Sequence, residues 1–71
     1  VNRYAIMEIN MTVNDVPVGD KFRLLFPGGV PQHRTFEKLD QKWDENSTYC
    51  TCSSDAQTWR VIRSQDAVLV E

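Results

Sequence analysis

The chain has 71 residues, 41% of them hydrophobic and 25% charged, with eight Lys and Arg against ten Asp and Glu for a formal charge of −2. A chain this short makes one domain at most and buries only about 60% of the surface its unfolded form exposes, which leaves little interior for both a core and a deep substrate pocket. That argues against an elaborate enzyme, and no apolar run approaches the roughly 20 residues that a membrane-spanning helix needs.

Residues 1–11 read as an N-terminal extension in which Tyr4, Ile6 and Ile9 are apolar enough to dock on the domain or on a partner. The basic-then-apolar pattern of a secretory leader is missing, so an intracellular protein is expected. The single domain is expected over residues 12–71. Asn14 to Asp20 is rich in turn formers, with Pro17 presetting one backbone angle and Gly19 free to take a positive φ. Lys21 to Phe26 then alternates charged and apolar residues, which predicts a strand with Phe22, Leu24 and Phe26 on one face.

Two prolines and two glycines between Phe26 and Pro31 break that strand. Arg34 to Asp40 reads as a second strand. Because Phe36 and Leu39 lie three apart and cannot share a face, a bulge or an early end is expected near Glu37 and Lys38. Gln41 to Asn46 reads as a hairpin loop. Ser47 to Cys52, rich in β-branched and aromatic types, makes a third strand. After a turn at Ser53 to Ala56, Gln57 to Arg63 makes a fourth, with Trp59 and Val61 turned inward. Ser64 to Ala67 reads as one helical turn and Val68 to Val70 as a closing strand.

These elements predict a mainly β fold, a small five-stranded antiparallel SH3-like barrel, whose closure would remove exposed sheet edges. The expected core is Val16, Phe22, Leu24, Phe26, Phe36, Leu39, Cys50, Trp59, Val61, Val68 and Val70. An open antiparallel sheet covered by a helix from residues 3–11 is the alternative.

Catalytic groups are sparse. His33 is the only histidine, in a Pro-Gln-His-Arg context that reads as loop, and Asp44-Glu45 sits in a polar segment where solvation keeps carboxylates ordinary. Cys50 and Cys52 fall on one face of a strand and read as packing residues. With His33 they fall short of the four ligands of a structural zinc site. No catalytic residue, cofactor or metal is expected.

Binding is the better reading. Trp, Tyr and Arg dominate interface hot spots, and Trp43 stands among Asp40, Gln41, Lys42, Asp44 and Glu45, where an indole has no local partner. Trp43, Arg34, Arg60 and Arg63 are the expected partner contacts, with Tyr4 and Ile6 as a further docking strip. Direct nucleic-acid binding is the rival, since small barrels stack bases on aromatics and hold phosphates with arginines. The net negative charge weighs against it.

The run Asn14-Asp15-Val16-Pro17-Val18-Gly19-Asp20-Lys21-Phe22-Arg23, followed by Gly28-Gly29, Phe36-Glu37-Lys38-Leu39 and Asp66-Ala67-Val68-Leu69-Val70, resembles small phage-encoded SH3-like proteins over residues 14–70. Within that group the chain is most similar to the host RNA-polymerase-binding transcription regulators of Xanthomonas phages. The resemblance implies a non-enzymatic, monomeric regulator in the host cytoplasm that binds bacterial RNA polymerase, inhibits initiation and alters termination. An inhibitor of another host system, such as a nuclease or CRISPR complex, is the neighbouring alternative.

Overall fold

The computed structural model describes residues 11–71. Tyr4, Ile6 and the proposed extension, apart from Met11, lie outside the described residues. Six strands follow: β1 (Met11–Thr12), β2 (Lys21–Leu25), β3 (Pro31–Asp44), β4 (Ser47–Cys52), β5 (Asp55–Arg63) and β6 (Ala67–Val70). They form one antiparallel sheet in the order β1-β6-β2-β3-β4-β5. The mainly β expectation therefore holds.

A closed five-stranded barrel does not form. The ladder is open, and β1 and β5 are its two edges. The open sheet agrees with the alternative reading, although Met11 is strand and not helix. The sheet bends back on itself where the turn after β5 returns the chain to β6. There the Val13 N–H donates to the Asp66 carbonyl at 3.0 Å, Asn14 N–H to Ser64 at 2.9 Å, and Ser64 N–H to Asn46 at 2.7 Å. Ser64 to Asp66 forms this hydrogen-bonded turn and not the expected helical one.

The strand boundaries correct the sequence reading at β3. The strand runs on through Asp44, so the expected loop at Gln41 to Asn46 shrinks to a tight turn at Glu45 and Asn46. The register is regular through Phe36↔Cys52, Glu37↔Thr51 and Lys38↔Cys50, and it slips between Lys38 and Lys42. The irregularity thus falls one step beyond Glu37 and Lys38. Leu39 sits in it, half-buried.

One face carries the core: Val13, Val16, Phe22, Phe36, Cys50, Cys52, Ile62 and Val68, with Leu24 and Val70 packed against them. Phe22 and Phe36 pair directly across β2 and β3, their rings 5.8 Å apart and stacked. The fourth predicted strand has its faces reversed. Cys50 pairs with Arg60 and Thr48 with Ile62, so Arg60 and Ile62 face inward while Trp59 and Val61 face out. Phe26 also leaves the core, because β2 ends at Leu25 and Phe26 opens the turn.

Lys38 is buried on the inner face, and its ammonium serves the 3-10 turn Val13–Asp15. Its Nζ donates to the carbonyls of Val16 at 2.8 Å, Val13 at 3.0 Å and Asn14 at 3.3 Å. Three donors on a compact head match these three carbonyls, of which the Val13 carbonyl also accepts from the Val16 N–H at 3.1 Å. The backbone of Lys38 holds the next turn as well, accepting from Gly19 N–H at 2.9 Å and donating to Asp20 at 3.1 Å. Asp15 closes the turn from its other side, accepting from the Thr12 N–H and hydroxyl.

Candidate interaction face

Side chains alternate across a strand, so a sheet with one buried face presents its other face to solvent. On that outer face β4 carries Tyr49, directly opposite Val61 of β5, while Thr51 lies opposite Trp59. Tyr49 is the centre of an aromatic run. Its ring lies 6.0 Å from Trp43 in an edge-on arrangement and 5.2 Å from Trp59 in a tilted one. Trp43 is 61% exposed, Trp59 50% and Val61 48%.

This run is the largest aromatic feature of the described surface. Each indole keeps roughly 100 Å² of its area in contact with water, whose removal is worth about 2–3 kcal/mol per side chain before the costs of association. The end of β3 around Trp43 and the turn that follows are exposed and carry Asp40, Asp44 and Glu45, with Lys42 as their only cation. An apolar centre with an acidic rim results.

The expected contact residues do not form one group. Arg63 shares the outer face, opposite Ser47, and its guanidinium meets Asp66 at 3.1 Å while remaining 79% exposed. Arg60 faces inward. It meets Asp55 at 3.8 Å, and its Nε is buried without a hydrogen-bond partner. Arg34 is exposed on β3 and lies with Arg60 close enough to Cys52 for both charges to act on its thiol. Trp43 and Arg63 thus belong to the outer face, and Arg34 and Arg60 to the surroundings of Cys52.

Two residues of the outer face, Trp59 and Val61, are core residues by the sequence pattern, and the structure turns both outward. Gln57 to Arg63 offers apolar residues at both parities, Trp59 and Val61 against Ile62. Size alone favoured the wrong set. The register with β4 decides it, and that register has no local sequence signal.

The two thiols differ. Burial pushes Cys50 up to about 11, with the Lys38 charge and a hydrogen bond from the Leu39 backbone acting the other way. Cys52 is held below the ordinary thiol range by hydrogen bonds from the Ser54 side chain and backbone, helped by Arg60 and Arg34. Both are free cysteines. Among the described residues no group of three or more His, Cys, Asp or Glu could hold a metal ion, and no helix is long and apolar enough to cross a membrane.

A groove of about 1080 Å³ lies between the Pro27–Gly29 turn and β6 and reaches Arg63 and Asp66. Met11, Leu24, Phe26, Val68 and Val70 line it. Comparison of the chain with protein-family models, with curated proteins and with solved structures finds no match.

Proposed function

We propose that the chain is a non-enzymatic protein-binding module of SH3-like topology that docks on a host protein through the Trp43–Tyr49–Trp59 face. The strand order supports the topology: β2 to β5 form a meander, and β6 returns beside β2. The observation that carries the binding reading is the aromatic run itself, two half-exposed indoles braced by one tyrosine. Paired exposed aromatics are the residue type that anchors interfaces.

The resemblance of residues 14–70 to phage regulators supplies the partner, bacterial RNA polymerase, and the place, the host cytoplasm. In this reading the module binds polymerase, inhibits initiation and alters termination. The acidic rim at Asp40, Asp44 and Glu45 suits a basic protein surface, and it would repel a phosphate backbone passing Trp43. Direct nucleic-acid binding is the second reading, favoured by one observation: aromatics on an open sheet face with the exposed Arg63 beside them form the kind of platform on which bases stack.

Affinity capture from bacterial lysate with the intact chain, with and without nuclease, tests both. Polymerase subunits that survive nuclease and vanish with Trp43→Ala support the proposal. Capture that disappears with nuclease transfers the function to nucleic acid. Recovery of nuclease or CRISPR components in place of polymerase would sink the transcription reading and leave the docking face standing.

A further inference from the structure

β5 is an edge strand, and its outward backbone can be assigned. Ser64 N–H bonds to the Asn46 carbonyl, and the register continues without a slip from Ser47↔Arg63 to Thr51↔Trp59. In an antiparallel ladder the directly opposed pairs alternate between exchanging both hydrogen bonds and exchanging none. Residues 60 and 62 therefore bond to β4, and the N–H and C=O groups of Trp59, Val61 and Arg63 point away from it, the Arg63 carbonyl also accepting from the Asp66 N–H at 3.2 Å. Among the described residues β5 pairs with no other strand. The regular stretch 59–63 contains no Pro or Lys; its charges are the inward-facing Arg60 and the outward Arg63, both already paired with carboxylates.

We infer that this edge pairs with a second copy of the chain, antiparallel, about a two-fold axis through Val61. This goes beyond the partner proposed above and stands independently of it. The register follows from the side chains. Centring on Val61 is the one choice that uses all five regular residues, and it places Val61 against the Val61 of the partner subunit. On the outer face it sets Trp59 beside Arg63 of the partner subunit, in both directions. The guanidinium, 79% exposed, then meets the face of a half-exposed indole, a favourable cation–π pair.

Moving the axis by one residue to Arg60 would oppose two guanidinium groups. Centring on Trp59 would run the pairing into residues 56–58, where the β4–β5 register slips between Thr51 and Cys52. On the inner face the Val61 register opposes Arg60 with Ile62 of the partner subunit, which keeps the like charges apart. The two aromatic faces would become one surface across the axis, with Arg63 added to each Trp59 from the other copy.

Sedimentation equilibrium of the intact chain over a wide concentration range tests this, with the mass expected to rise from the 8.2 kDa monomer toward twice that value. Val61→Pro removes an outward donor and leaves the β4 ladder intact, so it is expected to weaken association at least tenfold while circular dichroism remains unchanged. Should that variant misfold, Val61→Lys and Val61→Glu provide the second measurement. Each alone is expected to be monomeric, and an equimolar mixture is expected to dimerise. A monomeric intact chain at all concentrations overturns the inference, as does a dimer indifferent to these changes. A monomer that loses a host protein's binding with Val61→Pro would likewise overturn it, assigning the edge to a strand of that protein.

Discussion

The ammonium of Lys38 lies 2.8 Å from the carbonyl of Val16, a bond that joins the long central strand to the turn preceding β2. Two further carbonyls share the same head, and no carboxylate takes part among the described hydrogen bonds and ion pairs. A buried cation is here balanced by backbone dipoles alone.

Lys38→Met keeps most of the apolar stem and removes all three donors. Leaving a buried carbonyl without a partner costs about 1–3 kcal/mol, with partial relief where water can enter and at Val13, whose carbonyl keeps its bond from the Val16 N–H. The variant is expected to lose about 2–4 kcal/mol of unfolding free energy in urea titration. An unchanged midpoint would show that the turn does not depend on this cation.

The aromatic face should be separable from the fold. Trp43→Ala removes a side chain that is mostly in water and one edge-on contact to Tyr49, so its cost to stability is expected to stay near 1 kcal/mol. Trp59→Ala is expected to behave similarly, in contrast to a core truncation such as Phe22→Ala, which should cost about 3–5 kcal/mol. Thermal melts of the three variants check this ordering. A large loss from Trp59→Ala would return that residue to the core.

Alkaline pH should weaken the fold through Cys50. Its thiol ionises near the ordinary value of 9 in the unfolded chain and near 11 when folded. Below pH 9 both states hold the proton and stability is unaffected. Between about pH 9 and 11 the unfolded state loses its proton first, so stability falls by roughly 2 kcal/mol. The lowered Cys52 acts in the opposite direction, favouring the fold above the ordinary thiol range. Comparing the fall in Cys50→Ala with that in the parent chain isolates the buried thiol, and the fall is expected to shrink in the variant.

The same contrast predicts unequal thiol chemistry. A thiolate is the nucleophile, and both thiols are buried, so alkylation near pH 8 depends on local opening; the lowered Cys52, next to the turn that carries Ser54, should be modified before Cys50. Peptide mapping after brief iodoacetamide treatment would show the order. Modification of Cys50 first would mean that the β4 strand opens more readily than its burial implies.

Much of the strand content was legible from alternation and turn residues. Phe22, Phe36, Cys50 and Val68 were placed in the core correctly, and Ser47–Cys52 matched its strand to the residue. What escaped was non-local. Nothing near Lys38 announces that its ammonium will cap a turn more than twenty residues upstream. Likewise the inward turn of Ile62, and with it the exposure of Trp59 and Val61, depends on pairing with β4. Trp43 was legible as an anchor because its neighbours are charged, yet its brace, Tyr49, is set by the register slip between Lys38 and Lys42.

The return of β6 to the side of β2 also bears on how the chain reaches this state. Strands β2 to β5 pair with sequence neighbours, so they can assemble through short loop closures, whereas Phe22 meets Val70 only when nearly the whole domain has been gathered. Long-range closure of that kind sets the pace of folding. Until Ala67–Val70 arrives, β2 would present an open edge, as β5 does in the finished sheet, and Phe22 would lack one wall. A chain lacking β6 would therefore be the more aggregation-prone species, and the Ala67–Val70 segment acts as the clasp that covers the β2 edge.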